Sequence, residues 1–201
     1  MSKDIYKKYS YKIKTVSEIL KIVGSFPRKK KLAMCHGNFD VVHPGHLHHL
    51  MYVKTKSKYL IASITKDKHI IKGKNRPHVP DHLRAINLAA FEMIDFVVID
   101  ENKTPISNLK KLKPDIFAKG FEYNTALTNN PKTLEELNAI NSYGGKMFFT
   151  PGDIVNSSTK LLTFSKPDIR KQKLYSLLSK YKITYEEVNR ILNGLKNIRI
   201  H

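Results

Sequence analysis

Cysteine, acidic residues and long apolar runs are all scarce in this chain of 201 residues. The single cysteine, Cys35, excludes an internal disulfide and fits a reducing compartment. No apolar stretch approaches the ~20 residues that a membrane span needs, and no apolar run follows the basic N-terminal residues. No Cys and His group has the spacing of a structural zinc site. These absences predict a soluble, cytoplasmic protein.

Acidic residues are outnumbered, with 17 Asp and Glu against 36 Lys and Arg and a formal charge of +19. Such a charge suggests nucleic acid as one partner. The lysines are spread through every segment, however, and the one compact basic run, "RKKK" at 28–31, precedes an apolar strand. We therefore expect a surface that favours phosphate and polyanionic substrates, and we keep a nucleic-acid-binding module as the non-enzymatic alternative.

Apolar runs alternate with helical patterns along the chain, which is typical of βαβ units and a parallel sheet. The predicted strands are 31–35, 59–65, 96–100, 115–120 and 146–151. Helical patterns lie between them near 45–56, 81–93, 104–112 and 132–143. We predict an α/β fold: a Rossmann-like open parallel sheet of five strands, with helices on both faces and a C-terminal helical extension.

The same patterns divide the chain into a helical lead-in (1–29), an α/β domain (30–165) and a C-terminal part (166–201). A capped helix, "TVSEILKIVG", belongs to the lead-in, and two helical patterns lie in the C-terminal part near 168–180 and 185–193. The final stretch, "RILNGLKNIRIH", is similar to the segment before the first strand of ribokinase-like sugar kinases. This part is therefore either a helical extension or a link to a kinase domain.

Histidine is concentrated after the first predicted strand, where "HGNFDVVHPGHLHHL" contains five of the nine histidines. Pro44 suits the first turn of a helix, so His43 is the predicted N-cap and His46 follows three residues later. Side chains at that spacing lie about 5–6 Å apart at Cβ and can meet one ligand. Free N–H groups and the helix dipole favour an anion there. From the two histidines alone, a simple helix cap at His43 with a surface residue at His46 is the better explanation.

The rest of this helix is predicted from its apolar residues. We expect its buried face to consist of Leu47, Leu50 and Met51. His48 and His49 are then predicted to lie on the outer face, away from the site.

The stretch "GNFDVVHPGH" resembles the G-x-F-D-x-x-H-x-G-H signature of the cytidylyltransferase-like nucleotidyltransferase superfamily. Three further segments follow in that superfamily's order: "KGKNRPHVPDHLRAINLAA", "KPDIFAKGFEY" and "NSSTKLL". The resemblance covers about residues 30–165. It is strongest to the adenylyltransferase domain of bacterial ADP-heptose synthesis, with glycerol-3-phosphate cytidylyltransferases as near relatives.

This resemblance implies that an acceptor phosphate attacks the α-phosphate of a nucleoside triphosphate and that magnesium pyrophosphate leaves. The substrates would be ATP with a sugar phosphate such as heptose 1-phosphate, or CTP with glycerol phosphate or another polyol phosphate. Enzymes of this kind use Mg2+, are commonly homodimers and act away from membranes. Phe121 stands where heptose-type enzymes have glycine, so the acceptor is left open.

The resemblance also implies roles for single residues. The catalytic set is His43, His46, Lys72 and Arg84. The two histidines would contact the triphosphate and the charge developing at its α-phosphate, whereas Lys72 and Arg84 match basic positions that hold phosphates. The nucleotide would be bound further by Gly37, Asn38, Phe39, Lys119, Gly120, Ser157, Ser158 and Thr159. Arg76 is a further basic candidate near these residues. Asp40 is the nearest carboxylate for magnesium, although it equally suits a role in orienting the loop.

A fragment of a class I aminoacyl-tRNA synthetase is a third class of protein to consider, because its H-I-G-H motif is related to "HPGH". No segment similar to K-M-S-K-S follows in this chain, and the chain is short for that role. We therefore rank this interpretation last.

Overall fold

A computed structural model describes residues 3–71, 76–120 and 130–150, and the single positions Glu187 and Arg190. Its helices are α1 (Lys3–Ser10), α2 (Val16–Val23), α3 (Pro44–Lys54), α4 (Asp81–Ala89), α5 (Ile106–Leu112) and α6 (Pro131–Asn141). Its strands are β1 (Leu32–Gly37), β2 (Tyr59–Thr65), β3 (Phe96–Asp100), β4 (Ile116–Lys119) and β5 (Lys146–Phe149). None of the described helices is long and apolar enough to cross a bilayer. The helix predicted near 168–180 lies outside the described residues, as does the helix predicted near 185–193 apart from Glu187 and Arg190.

The chain divides into two units, Met1–Thr159 and Lys160–His201, and every described element belongs to the first. Within it, all five strands are parallel in the order β3-β2-β1-β4-β5. The predicted Rossmann-like α/β fold is therefore confirmed. The chain direction across the sheet reverses between β1 and β4, and ligands of open α/β sheets bind at the carboxyl ends of the strands at such a point.

Helices cover both faces of this sheet, as predicted. Alternate residues of β1 enter two apolar cores: Ala33 and Cys35 pack with α3 and α4, whereas Leu32 and Met34 pack with α2, α5 and α6. These strand residues are completely buried. Because neither face of the strand is exposed, its apolar residues form a continuous run in the sequence.

Besides the predicted helix α2, the lead-in segment contains α1 and a short stretch that pairs with β3. Thr15 caps α2 as expected, because its Oγ1 accepts from Glu18 N at 3.3 Å while its own N–H donates to Glu18 Oε2 at 2.7 Å. Before this cap, Lys14 N donates to Val97 O and Val97 N donates to Lys12 O, both at 2.9 Å. The lead-in therefore pairs with the edge strand β3 and covers part of its open edge.

The compact basic run at 28–31 does not act as one exposed patch. The side chain of Arg28 is 3% exposed and donates to Leu112 O at 2.8 Å, Lys113 O at 3.1 Å and Asp115 Oδ2 at 3.2 Å. Asp115 Oδ2 also accepts from Leu32 N at 2.8 Å. Arg28 thus joins the start of β1 to the connection between α5 and β4.

Candidate functional site

The turn after β1 carries residues 37–40 to the carboxyl edge of the sheet. Phe39 has a left-handed backbone (φ 47°), although its side chain is large and buried. A Cβ at Gly37 would lie 3.3 Å from Phe39 Cε2, which is tighter than an ordinary contact. The turn therefore favours a residue without a side chain at position 37. Asn38 lies between them and is partly buried.

Asp40 fastens this turn to the segment that leads into α4. Its Oδ1 accepts from His78 N at 2.8 Å and Val79 N at 3.0 Å, and its Oδ2 accepts from Arg76 Nη1 at 3.0 Å. The carboxylate is buried. Of the two roles that the sequence suggested for Asp40, the observed contacts match the orientation of the loop.

Arg84 is completely buried and joins three connections around the turn. Its Nε donates to Val79 O at 2.9 Å, and its Nη2 donates to Thr65 O at 2.8 Å and Asp67 Oδ1 at 2.6 Å. Its Nη1 donates to Asn38 O. The guanidinium therefore holds the ends of β1 and β2 against the segment before α4. Its predicted contact with phosphate stays a prediction.

His43 is the N-cap of α3, as predicted. Its Nδ1 accepts from Gly45 N at 3.1 Å, so a neutral His43 carries its proton on Nε2. The centroids of the His43 and His46 rings lie 3.9 Å apart, with 35° between the ring planes. The structure thus confirms that the two imidazoles converge at the helix start.

His46 is held neutral. Burial, together with the neighbouring His43 and His49, lowers its pKa to about 3. Its buried Nδ1 has no hydrogen-bond partner among the described residues. An unpaired buried N–H donor is rarer in proteins than an under-satisfied acceptor, so we place the ring proton on Nε2. The helix start therefore carries two imidazoles whose Nδ1 atoms do not bear the proton when the rings are neutral, and His46 is held in that neutral form.

The buried face of α3 differs from the prediction. Leu50 and Val53 are fully buried, whereas Met51 is 56% exposed. His49 does not lie on the outer face, because its Nδ1 is 2.9 Å from the Oγ1 of the buried Thr150. Packing against the sheet sets the phase of the helix, and the inward-facing positions are 43, 46, 50 and 53. The apolar residues alone suggested a phase that is rotated by one position.

Lys119 and Gly120 lie across the reversal point, at the end of β4. The Lys119 ammonium forms an ion pair with Glu136 of α6, and these side chains are only 11% and 10% exposed. Lys119 Nζ also lies 3.4 Å from Thr133 Oγ1. Sequence analysis missed Glu136, because no motif or spacing connects this helical residue with a lysine on another element.

His36 is a second residue whose position the sequence did not indicate. Its Nδ1 lies 2.9 Å from Ser63 Oγ and its Nε2 lies 3.3 Å from Thr65 Oγ1. Burial lowers its pKa to about 3, and the charge of Lys119 lowers it further. A polar residue inside an otherwise apolar strand was the available signal. His36 therefore links the ends of β1 and β2 as a neutral ring.

The structure thus gathers most of the predicted site at one edge of the sheet: Gly37, Asn38, Phe39, Asp40, His43, His46, Arg84, Lys119 and Gly120. The predicted Lys72, Ser157, Ser158 and Thr159 lie outside the described residues. Within residues 3–71, 76–120 and 130–150, no three His, Cys, Asp or Glu side chains are grouped to hold a metal ion.

Two solved structures share this fold. The lipopolysaccharide core biosynthesis protein of Thermoplasma volcanium has a TM-score of 0.52 and 21% identity, over 62% of this chain and 99% of that one. The pantoate-β-alanine ligase of Francisella tularensis, solved with an ATP analogue and β-alanine, has a TM-score of 0.55 and 16% identity, over 90% of this chain and 85% of that one. At these identities the likeness concerns the fold alone.

Sequence relatives show a higher identity than these structures. The bifunctional protein HldE of Campylobacter fetus subsp. fetus is 34% identical over 140 residues, which are 69% of this chain and 30% of the relative. HldE of Campylobacter jejuni subsp. doylei is 38% identical over 117 residues, or 57% and 25% of the two chains. The chain thus spans less than a third of either relative. The family model described as cytidylyltransferase-like matches residues 34–164. This range begins within β1, includes both imidazoles at the start of α3 and extends beyond β5. With its fold and its motif in agreement, the chain belongs to the cytidylyltransferase-like family of nucleotidyltransferases.

Proposed function

We propose that the chain transfers a nucleoside monophosphate from a nucleoside triphosphate to a sugar or polyol phosphate and releases pyrophosphate. The observation that carries this proposal is the pair of imidazoles at the start of α3, with ring centroids 3.9 Å apart and with His46 held neutral. ATP with an acceptor of the heptose 1-phosphate type is our first substrate pair, supported by the HldE relatives. CTP with a polyol phosphate is the second, supported by the family description.

The proposed reaction exchanges one phosphate bond for another. An oxygen of the acceptor phosphate forms a bond to the α-phosphorus. The bond from that phosphorus to the oxygen that bridges to the β-phosphate breaks, and pyrophosphate leaves with the electron pair. Since no covalent enzyme intermediate is required, the protein contributes positioning and charge stabilisation.

His43 and His46 supply the hydrogen bonds to the reacting phosphate. Their Nε2–H groups donate to non-bridging oxygens, beside the N-terminal dipole of α3. The His46 ring is neutral before substrate arrives, and a hydrogen bond to a charged acceptor is stronger than one to a neutral acceptor. The hydrogen bonds therefore strengthen as negative charge grows, which favours the transition state over the bound substrate.

Lys119 approaches the same polyphosphate from the other side of the reversal point. Glu136 neutralises the ammonium before substrate binds, which lowers the cost of burying its charge. The backbone of Gly37, Asn38, Phe39 and Gly120 borders the nucleotide. We assign the β- and γ-phosphates to Ser157, Ser158 and Thr159, and a phosphate of the same triphosphate to Lys72.

Arg84 and Asp40 act on the substrate through the loops that they hold. The carboxylate of Asp40 is engaged by Arg76 and two backbone N–H groups, and Arg84 donates to groups of the protein. A magnesium ion is therefore expected to arrive with the triphosphate, which supplies oxygen ligands, and to keep several waters. The described residues do not fit an independent protein-held magnesium site, so no step is assigned to one.

A grid of substrates tests this proposal. Each of ATP, CTP, GTP and UTP is combined with heptose 1-phosphate, other sugar 1-phosphates and glycerol 3-phosphate, and pyrophosphate release is measured. The proposal expects one base and one acceptor class to give turnover well above the triphosphate alone. Absence of turnover across the grid, in a preparation that binds a triphosphate, contradicts it. Light scattering on the same preparation tests the homodimer that the resemblance implies.

A further inference from the structure

Two side chains outside the sequence motif, His49 and Thr150, connect α3 with the end of β4. His49 of α3 places its Nδ1 2.9 Å from the Oγ1 of Thr150, the residue that follows β5. Thr150 is 3% exposed, and its backbone N–H donates to Lys119 O at 3.0 Å. A short path of contacts therefore runs from the imidazole helix to the backbone of the lysine on β4.

A second contact accompanies this path. The rings of Tyr52 and Phe148 stack with centroids 5.6 Å apart and 10° between their planes. Tyr52 lies three residues after His49 on α3, and Phe148 lies two residues before Thr150. The same side of the helix thus meets β5 twice, once through an aromatic stack and once through a hydrogen bond.

We propose that His49 and Thr150 are a positioning pair that sets the distance between the imidazoles of α3 and the ammonium of Lys119. This inference rests on the proposed function, because it assumes that His43, His46 and Lys119 hold the same triphosphate. His49 lies about one turn after His46, so a rotation or shift of α3 that moves one ring moves the other. A misplacement of about 1 Å in such a site can cost on the order of 100-fold in rate.

The hydrogen bond between His49 and Thr150 can keep α3 at a fixed distance from the residue that follows β5. Burial lowers the pKa of His49 to about 4, so its ring is neutral near pH 7. One partner of the pair is the hydroxyl of a β-branched side chain, which has few rotamers; Thr150 is buried and His49 is partly buried. The geometry of this hydrogen bond is therefore maintained over the pH range of an ordinary activity assay.

The test is a double-mutant cycle with a rescue and a matched control. Thr150→Val removes the hydroxyl while keeping the shape, and His49→Phe removes the ring nitrogen while keeping the bulk. His49→Asn supplies a neutral polar group near the position of Nδ1. Thr55→Val is the control, because it removes a 2.7 Å hydrogen bond to Tyr52 O from the same helix, away from the sheet edge.

With the substrate pair found in the grid, we expect Thr150→Val and His49→Phe each to lower kcat about tenfold or more. KM for the triphosphate should rise about two- to threefold, a smaller effect than that on kcat, and the double variant should lose no more than one single variant. His49→Asn should retain most of the kcat, and Thr55→Val should match the wild type. Losses no larger than those of Thr55→Val, or losses that multiply in the double variant, overturn the proposal.

Failure of the proposed function is distinguishable from failure of this inference. If the wild type turns over no substrate pair, the cycle is measured on the dissociation constant of the triphosphate by calorimetry. Equal, non-additive weakening in Thr150→Val and His49→Phe then supports the positioning pair. Unchanged affinity in both overturns it. If His49→Phe does not fold, Thr150→Val and His49→Asn decide the outcome.

Discussion

The ring of Phe39 packs against the ring of His46, with their centroids 5.1 Å apart, while the Phe39 backbone is held at φ 47°. Its neighbours on both sides are restrained: Asn38 O accepts from Arg84, and the Asp40 carboxylate accepts from the 76–79 segment. A bulky residue in the left-handed region is strained, and such strain persists only where the surroundings impose it. The turn therefore holds the Phe39 ring rigidly against the His46 ring.

This relationship predicts an unusual order of stability at position 39. Removing the buried ring in Phe39→Ala is expected to cost about 3–5 kcal/mol of unfolding free energy. Phe39→Gly removes the same ring but also relieves the left-handed backbone, which glycine adopts freely. We therefore expect the glycine variant to be at least as stable as the alanine variant in urea unfolding. A glycine variant about 1 kcal/mol less stable, as in an ordinary position, contradicts the account.

Arg84→Lys distinguishes a structural arginine from a phosphate ligand. A lysine cannot reproduce the forked contacts to Asn38, Thr65, Asp67 and Val79. We expect a loss of about 3–5 kcal/mol in stability, measured by chemical denaturation. Arg76→Lys, on a more exposed side chain, should cost much less. Near-normal stability of Arg84→Lys together with lost triphosphate affinity would show that Arg84 binds phosphate directly.

Stability should fall as the solution is acidified, because buried histidines resist protonation. The folded pKa of His36 is about 3, below the ordinary value of 6.5. Between these values the unfolded chain binds a proton that the folded chain does not, so stability is complete above about pH 6.5 and declines towards pH 3. His36→Asn should reduce the slope of unfolding free energy by about 1.4 kcal/mol per pH unit between about pH 6 and 4.

The exposed His82 provides the control for this measurement. Urea unfolding curves of His82→Asn, recorded over the same pH range, should have the slope of the wild type. A His36→Asn variant whose slope also matches the wild type would show that the ring is not held neutral by the fold.

Removal of divalent metal should abolish turnover while leaving the fold intact. We expect this because magnesium is proposed to accompany the triphosphate rather than to be held in the described protein core. Excess chelator should eliminate pyrophosphate release, and the melting temperature without nucleotide should not change. Full activity in chelator excludes the magnesium requirement, and a large fall in melting temperature would reveal a structural metal.

The sheet was predictable because its signal is local. Each buried strand is a short apolar run between helical patterns, and all five predicted strands overlap the observed ones. The N-cap at His43 was predictable for the same reason, since Pro44 and the spacing to His46 lie within one turn. The predicted C-terminal boundary at 165 is not tested by the described residues.

Hydrogen-bond and ion-pair partners that lie far apart in the sequence were not predictable. The acceptors of Arg84 belong to three separate connections, which only the folded chain brings together; the phosphate contact that the resemblance implies for Arg84 stays a prediction. His49 was placed on the outer face because Met51 is apolar, although the packing of the sheet, and not residue polarity, sets the phase of α3. No feature of the sequence around Glu136 indicated that it pairs with Lys119.

The central claim is that the imidazoles at the start of α3 stabilise the transferred phosphate, and His46→Ala tests it most directly. Its kcat and its triphosphate dissociation constant should be measured with the competent substrate pair, beside the wild type. Losing a preorganised donor should lower kcat on the order of 100-fold or more, while triphosphate affinity changes less than about threefold. A kcat near that of the wild type would contradict the assignment of the site.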